Sequence, residues 1–360
     1  MIVNPKTVIR DVYAFVEEQR ARGYETGIIG RTVLGSPIPY VKKGDGRYGE
    51  SMIFGAIHAR EYITASLVVK MAKEYKGKSA IYFVPIVDID GVALVTFGLD
   101  AIRAIVRRRP QVLDPSNPCF FYRWYGTGEE PPRCRFEGKN GNLFGTGNGF
   151  GIGAENALGG SVAGGKSTGE VADGRVYTGD RGGIAAELER VNGGSADFSL
   201  WKANIRAVDL NVNFDADWGT GASNVTFPSP ANYIGPYPES ERETKALVNF
   251  TKRHDFLCVL CYHCKGEVIY YGYKNNFPYP EYARLFQTAT GYPLTESTGS
   301  AGGYKDWFTE QFDRLSLTVE VGNEILSYTA LNEDFDGIYE RNRGVAGVVD
   351  EIALKLKVES

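Results

Sequence analysis

The sequence lacks the features that mark membrane-spanning, nucleic-acid-binding and disulfide-rich proteins. No run approaches the roughly 18 consecutive apolar residues of a membrane span. The 360 residues carry a formal net charge of −4, whereas nucleic-acid binding needs a concentrated basic surface. The five cysteines are an odd number, and nothing else points to an oxidising compartment. We therefore expect a globular protein with no nucleic-acid partner and no membrane span.

Signals of secretion are also missing from the start of the chain. Residues 1–10 contain no continuous apolar segment and no small-residue cleavage site. This absence predicts a cytoplasmic protein, although processing of a longer, secreted precursor would leave the same sequence. Nothing in the sequence indicates the oligomeric state.

Apolar periodicity predicts an α/β protein. Strand-like and helix-like runs alternate from residue 8 to residue 107, and the alternation resumes near residue 208. Such alternation favours a single domain over residues 1–360, built on an α/β sheet. Residues 112–198 interrupt the pattern, because so much glycine makes regular helices costly. We interpret this segment as a Gly-rich insertion within the domain, either a small strand-rich subdomain or a lid.

Histidine is scarce, with three in the chain, and two of them belong to one candidate site. His58, Glu61, His263 and Glu320 each end or closely follow an apolar, strand-like run. Two imidazoles and a carboxylate are the ligands of a hydrolytic zinc site with one open position, and Glu320 is a candidate base. Taken alone, His58 and Glu61 would be explained by a helix N-terminus, and Glu320 by an exposed strand end.

Three cysteines near His263 offer an alternative metal site. Cys258, Cys261 and Cys264 flank this histidine in the sequence, a spacing that invites a Cys/His site. Side chains alternate between the two faces of a strand, so Cys258 and Cys264 would point away from His263. We therefore predict that these cysteines are small, buried apolar residues.

Several motifs of the chain, taken together and in order, are similar to those of one enzyme family. The segments are His58-Ala-Arg-Glu61, Trp201 to Asn211, Val208-Asp-Leu-Asn-Val-Asn-Phe214, Tyr262-His263, Lys265 to Tyr270, Ala301-Gly-Gly-Tyr-Lys-Asp-Trp307 and Thr318-Val-Glu320. Through them the chain resembles the zinc metallocarboxypeptidases of the carboxypeptidase A type. The resemblance is closer still to a bacterial branch, the γ-D-glutamyl-meso-diaminopimelate peptidases, which cut peptidoglycan stem peptides.

The resemblance implies a fold and a mechanism. It implies a mixed, mostly parallel central sheet with helices on both faces, and one zinc ion held by His58, Glu61 and His263. Glu320 would accept a proton from water and pass it to the leaving amine. A cation near Trp201 would stabilise the oxyanion, and we favour Arg206 for this role. Lys202 is the second candidate and would otherwise contact substrate.

The sequence also departs from the family pattern around the substrate. Val212 follows Asn211 where the carboxypeptidases place an arginine that grips the terminal carboxylate in a bidentate fork. Thr298 stands where many members have a tyrosine. Lys305 occupies the pocket position that selects substrates, where a cation favours an acidic group such as the side-chain carboxylate of meso-diaminopimelate. A plain surface lysine is the alternative.

These observations predict a zinc metallopeptidase. The preferred hypothesis is hydrolysis of an amide bond in peptidoglycan stem peptides, at γ-D-glutamyl-meso-diaminopimelate, with Arg60 and Asn211 binding the substrate backbone or a carboxylate. A second hypothesis is a metallocarboxypeptidase that removes acidic C-terminal residues from ordinary peptides. A third is a non-catalytic module that binds cell-wall peptides.

Overall fold

An eight-stranded sheet lies at the centre of the computed structural model, which describes residues 2–108, 183–296, 299 and 301–359. The strands lie side by side in the order β1-β2-β4-β3-β5-β8-β6-β7. They are β1 (Thr26–Arg31), β2 (Pro37–Lys43), β3 (Asp45–Phe54), β4 (Ser79–Val84), β5 (Phe256–His263), β6 (Val268–Tyr271), β7 (Leu294–Thr295) and β8 (Leu315–Glu320).

The middle of the sheet is parallel and its flanks are mixed. Strands β4, β3, β5 and β8 run in one direction, while the β1–β2, β2–β4 and β6–β8 pairs are antiparallel. Every residue of β4 and β5 is buried, as expected for parallel strands whose two faces are both covered. This sheet confirms the predicted α/β class with a mixed, mostly parallel sheet.

Helices surround the sheet, and their positions largely follow the apolar pattern. Within the described ranges they are α1 (Val8–Ala21), α2 (Ile63–Glu74), α3 (Ile89–Phe97), α4 (Leu99–Arg108), α5 (Gly183–Val191), α6 (Arg242–Lys252), α7 (Pro280–Thr290), α8 (Tyr304–Phe312), α9 (Tyr328–Glu333), α10 (Phe335–Asn342) and α11 (Val345–Glu359). None of these described helices is long and apolar enough to span a membrane.

Two long runs of helical apolar spacing are each divided into separate helices in the structure. The run from residue 91 to 107 divides into α3 and α4 at Gly98, whose φ of +71° is a conformation that favours glycine. The apolar run near residues 332–356 forms parts of three helices, α9, α10 and α11, with breaks at Asp334 and at residues 343–344. The spacing of apolar residues does not change at either break, so it could not show where the helices divide.

The turn after β3 differs from the prediction in a way that shapes the site. Strand β3 ends at Phe54 rather than at His58. The Ala56 N–H donates to the Thr64 hydroxyl at 2.7 Å, which ties the turn to the start of α2. His58 itself is extended, and a single 3₁₀ turn, Ala59–Glu61, follows it. This short turn brings the side chains of His58 and Glu61 to the same place.

The predicted Gly-rich insertion, residues 112–198, lies outside the described residues as far as residue 182. Its last part contains helix α5. Its role as a lid or subdomain therefore stays a prediction, as does the cytoplasmic location of the protein.

Candidate metal centre

Three buried side chains converge at one edge of the sheet. The Nδ1 atoms of His58 and His263 lie 3.1 Å apart. The Glu61 carboxylate lies 2.9 Å from His58 Nδ1 and 3.0 Å from His263 Nδ1. All three residues are at most 3% exposed. The structure therefore brings together the predicted ligand set, hereafter the triad.

Sheet topology explains why these residues meet. Strands β3 and β5 are parallel neighbours in which Phe54 pairs with Cys261, so their carboxyl ends lie at the same edge. Ligand sites of open α/β sheets form at this edge. The turn after Phe54 supplies His58 and Glu61, and the last residue of β5 supplies His263. The parallel direction of the two strands therefore brings the segments that carry the triad to the same edge of the sheet.

The donor atoms of the triad fit a zinc ion. Two imidazole nitrogens facing each other beside a carboxylate repel unless a proton or a cation lies among them. Nitrogen and oxygen donors about 2.0–2.1 Å from a tetrahedral zinc would lie about 3.3–3.4 Å apart. The observed separations of 2.9–3.1 Å are close to that spacing. The triad can therefore hold one metal ion.

Asp209 contacts the ring nitrogen of His58 that faces away from the triad. Its carboxylate lies 3.1 Å from His58 Nε2 and accepts from the Lys202 ammonium at 2.8 Å. The backbone N–H groups of Asn211 and Asn232 donate to the same carboxylate at 3.1 and 3.0 Å. Burial opposes ionisation, but Lys202 and His58 hold the pKa of Asp209 well below its usual range. An ionised Asp209 accepts a hydrogen bond from the Nε2–H of His58, which leaves the Nδ1 lone pair free for a metal.

Glu320 stands beside the triad at the end of β8. It pairs in register with His263 on the neighbouring strand and is partly exposed. Burial raises the pKa of Glu320 to about 7, and the Glu61 carboxylate adds to the rise, whereas His263, Lys202 and Arg60 oppose it. A carboxyl group that titrates near neutrality next to the ligands is suited to proton transfer.

The structure separates the two candidate oxyanion cations. Lys202 contacts Asp209 and acts electrostatically on Glu320. The Arg206 guanidinium instead lies 3.5 Å from the buried carboxylate of Glu241. The choice between Arg206 and Lys202 for the oxyanion role stays a prediction, although Lys202 is the one that contacts Asp209, the partner of the ligand His58.

The two predicted backbone-binding residues have different surroundings. The Arg60 guanidinium donates to the Leu200 carbonyl at 3.1 Å and lies 4.9 Å from the centre of the Tyr328 ring. Asn211 accepts the Tyr304 N–H at 3.1 Å through its Oδ1. Because that oxygen is occupied, the Asn211 amide presents its NH₂ group as a donor.

The Lys305 ammonium is buried and paired, so it is not exposed to a substrate. The residue is 4% exposed, and its ammonium donates to the Gly272 carbonyl at 2.5 Å and to the Asp306 carboxylate. The expected free charge in a specificity pocket is thus already neutralised by an adjacent residue. Thr298, the other predicted departure near the substrate, lies outside the described residues.

The segment before Lys305 needs glycine for a steric reason. Gly302 has a φ of +78°, and a Cβ there would lie 2.5 Å from the Val212 carbonyl oxygen. This close approach packs the segment against the turn that carries Asn211. Val212, which the resemblance aligns with the family's carboxylate-gripping arginine, therefore has its main chain packed closely against Gly302.

The sequence reasoning missed two partners of the histidine ligands. Asp209 lies within the segment Val208-Asp-Leu-Asn-Val-Asn-Phe214, and an acidic residue is the usual outer partner of a metal-binding histidine. Cys261 was expected only to be buried, but its Sγ lies 2.9 Å from His263 Nε2. Strand alternation was the available signal, because Cys261 and His263 lie on the same face. The cysteines Cys258, Cys261 and Cys264 are free and buried, as predicted.

Comparison with known proteins adds independent support. The model of the zinc carboxypeptidase family matches residues 171–341. This part of the chain is therefore similar to the zinc carboxypeptidase family. This family depends on zinc, which agrees with the donor set of the triad. The family match includes His263 and Glu320 but begins after His58 and Glu61.

The chain is similar to gamma-D-glutamyl-L-diamino acid endopeptidase 1 of Lysinibacillus sphaericus, with 38% identity over 158 residues. The aligned region covers 43% of this chain and 39% of that protein. It is also similar to carboxypeptidase B of Rattus norvegicus, with 30% identity over 41% of this chain and 38% of that protein. The matches thus span about two fifths of these relatives. The structure of bovine thrombin-activatable fibrinolysis inhibitor superposes with a TM-score of 0.57 and 16% identity, covering 98% of this chain and 97% of that one, which supports the fold.

Proposed function

We propose that the protein is a zinc-dependent peptidase that hydrolyses an amide bond in peptidoglycan stem peptides, at γ-D-glutamyl-meso-diaminopimelate. The observation that carries this proposal is the convergence of His58, Glu61 and His263 with Glu320 beside them. The similarity to a gamma-D-glutamyl-L-diamino acid endopeptidase supports the choice of substrate.

Each residue of the site has a distinct task in the proposed reaction. A bound zinc ion supplies a Lewis acid that polarises a carbonyl oxygen and lowers the pKa of water. Glu320 accepts the proton of the attacking water and returns it to the leaving amine. The Lys202 ammonium stabilises the negative charge that develops on the carbonyl oxygen. Arg60 and Asn211 hold the substrate through its backbone or a carboxylate.

Replacing Lys202 should slow catalysis far more than replacing Arg206. Loss of one oxyanion donor costs about 10²–10³-fold in kcat, so we expect this loss in Lys202→Ala and partial recovery in Lys202→Arg. Arg206→Ala should change kcat by less than about fivefold, because its guanidinium pairs with Glu241. Zinc content is measured alongside kcat, since Lys202 also contacts Asp209. A larger loss in Arg206→Ala would return the role to Arg206.

The substrate side of the proposal rests on what surrounds Asn211. Val212 provides no guanidinium for a bidentate grip on a C-terminal carboxylate. This favours cleavage of a bond whose recognition does not depend on a free chain end. A metallocarboxypeptidase that removes acidic C-terminal residues is the second candidate, favoured by Lys305 if Asp306 releases its ammonium. A non-catalytic cell-wall peptide-binding module is the third.

One assay separates the three candidates. The zinc-loaded protein is incubated with L-Ala-γ-D-Glu-meso-diaminopimelate, with its α-linked isomer, and with a peptide ending in glutamate. Products are identified by mass spectrometry. We expect cleavage of the γ-linked peptide only. Release of the terminal glutamate would support the carboxypeptidase, and binding of the γ-linked peptide without any product would support the binding module.

A further inference from the structure

The two histidines of the triad have different partners on their outer nitrogens. His58 directs Nε2 to the Asp209 carboxylate at 3.1 Å. His263 directs Nε2 to the Cys261 sulfur at 2.9 Å. Both partners are completely buried, so water does not compete for these contacts. The outer nitrogen of His58 thus meets a charged oxygen, and that of His263 meets a sulfur.

Proton positions follow from the inner contacts of His263. Its Nδ1 faces Glu61 and His58 at 3.0 and 3.1 Å, so Nδ1 is the atom available to a metal. A neutral imidazole that offers the lone pair of Nδ1 carries its proton on Nε2. That N–H points at Cys261, so the cysteine sulfur accepts the hydrogen bond.

We propose that Cys261 is a positioning residue that holds the ring of His263 in the orientation and tautomer needed to bind the metal. The thiol does so in place of the carboxylate or carbonyl that usually accepts from a metal-binding histidine. This inference rests on the metal centre of the proposed function but not on the proposed substrate.

The strand itself supplies a matched control. Cys258 lies three residues earlier on β5, is also completely buried, and points to the opposite face. It pairs in the sheet with Ser51 and Leu315, away from the triad. Removing the sulfur of Cys258 therefore leaves a cavity in the same strand without touching a ligand.

The test measures zinc dissociation constants by competition with a chelator. Losing an outer partner typically weakens metal binding about 10–100-fold, and we expect that loss in Cys261→Ala. Cys261→Ser keeps an acceptor and should recover most of the affinity. Cys258→Ala should bind zinc like the unsubstituted protein. Equal affinity in Cys261→Ala, or the same loss in Cys258→Ala, would overturn the proposal.

A second measurement needs no substitution, so it can overturn the proposal even if Cys261→Ala does not fold. ¹⁵N-histidine NMR of the zinc-loaded protein should show the His263 proton on Nε2, and a proton on Nδ1 would overturn the proposal. If the unsubstituted protein binds no zinc, both the metal centre and this inference are wrong. If it binds zinc but Cys261→Ala binds it equally well, this inference alone is wrong.

Discussion

Replacing Glu320 with glutamine should almost abolish hydrolysis and leave zinc bound. Glutamine has nearly the same shape as glutamate but cannot accept a proton from water. General base catalysis contributes about 10²–10⁴-fold to a rate, so we expect kcat to fall by that factor. Zinc should stay, because the donors that face one another belong to His58, Glu61 and His263. Steady-state kinetics and elemental analysis check both parts.

The control for this experiment is Glu324→Gln, in the exposed loop that follows β8. Its kcat and zinc content should match those of the unsubstituted protein. If Glu320→Gln kept most of its activity, Glu320 would not be the base and the proposed mechanism would be wrong. If it lost zinc as well, Glu320 would instead help to hold the ion.

The framework of the site could be predicted because it depends on local pattern. The apolar run of β5 is continuous from Phe256 to His263, and β8 ends at Glu320. Strands β5 and β8 are parallel neighbours, so the ligand that ends one and the candidate base that ends the other lie at the same edge of the sheet. His263 and Glu320 follow from these strand ends, whereas His58 and Glu61 lie in the 3₁₀ turn after β3, which the apolar pattern did not show.

The roles of single cations could not be predicted in the same way. Arg206 and Lys202 lie four residues apart and look alike in the sequence. What distinguishes them is the carboxylate each one meets, Glu241 in one case and Asp209 in the other. Such pairing is decided by tertiary packing, since a buried charge requires a partner.

Lys305 illustrates the same limit at short range. A neighbour, Asp306, was visible in the sequence, but adjacent residues of a helix usually point in different directions. The burial that forces the two charges together arises from the packing of α8 against β8 and β5. Substrate preference is therefore the feature that the sequence predicts least well, and the ligand set is the feature that it predicts best.

Replacing His263 with alanine should remove zinc from the protein. The substitution takes away one of three ligands, so we expect a loss of affinity greater than the roughly 10–100-fold cost of losing an outer partner. The carboxylate of Glu61 would also lose a contact at 3.0 Å, and a buried charge without its partner destabilises the fold. Titration calorimetry with zinc and thermal unfolding measure the two effects.

The third histidine of the chain provides the matched control. His254 stacks on Phe256 with ring centres 5.0 Å apart, and its Nδ1 lies 2.8 Å from the Phe250 carbonyl oxygen. It lies at the opposite end of β5 from the triad, so His254→Ala should bind zinc normally while losing some stability. Unchanged zinc content in His263→Ala, or equal zinc loss in both variants, would contradict the assignment. The comparison therefore separates a ligand from a packed imidazole, because one variant removes the ring that ends β5 and the other removes a ring just before that strand begins.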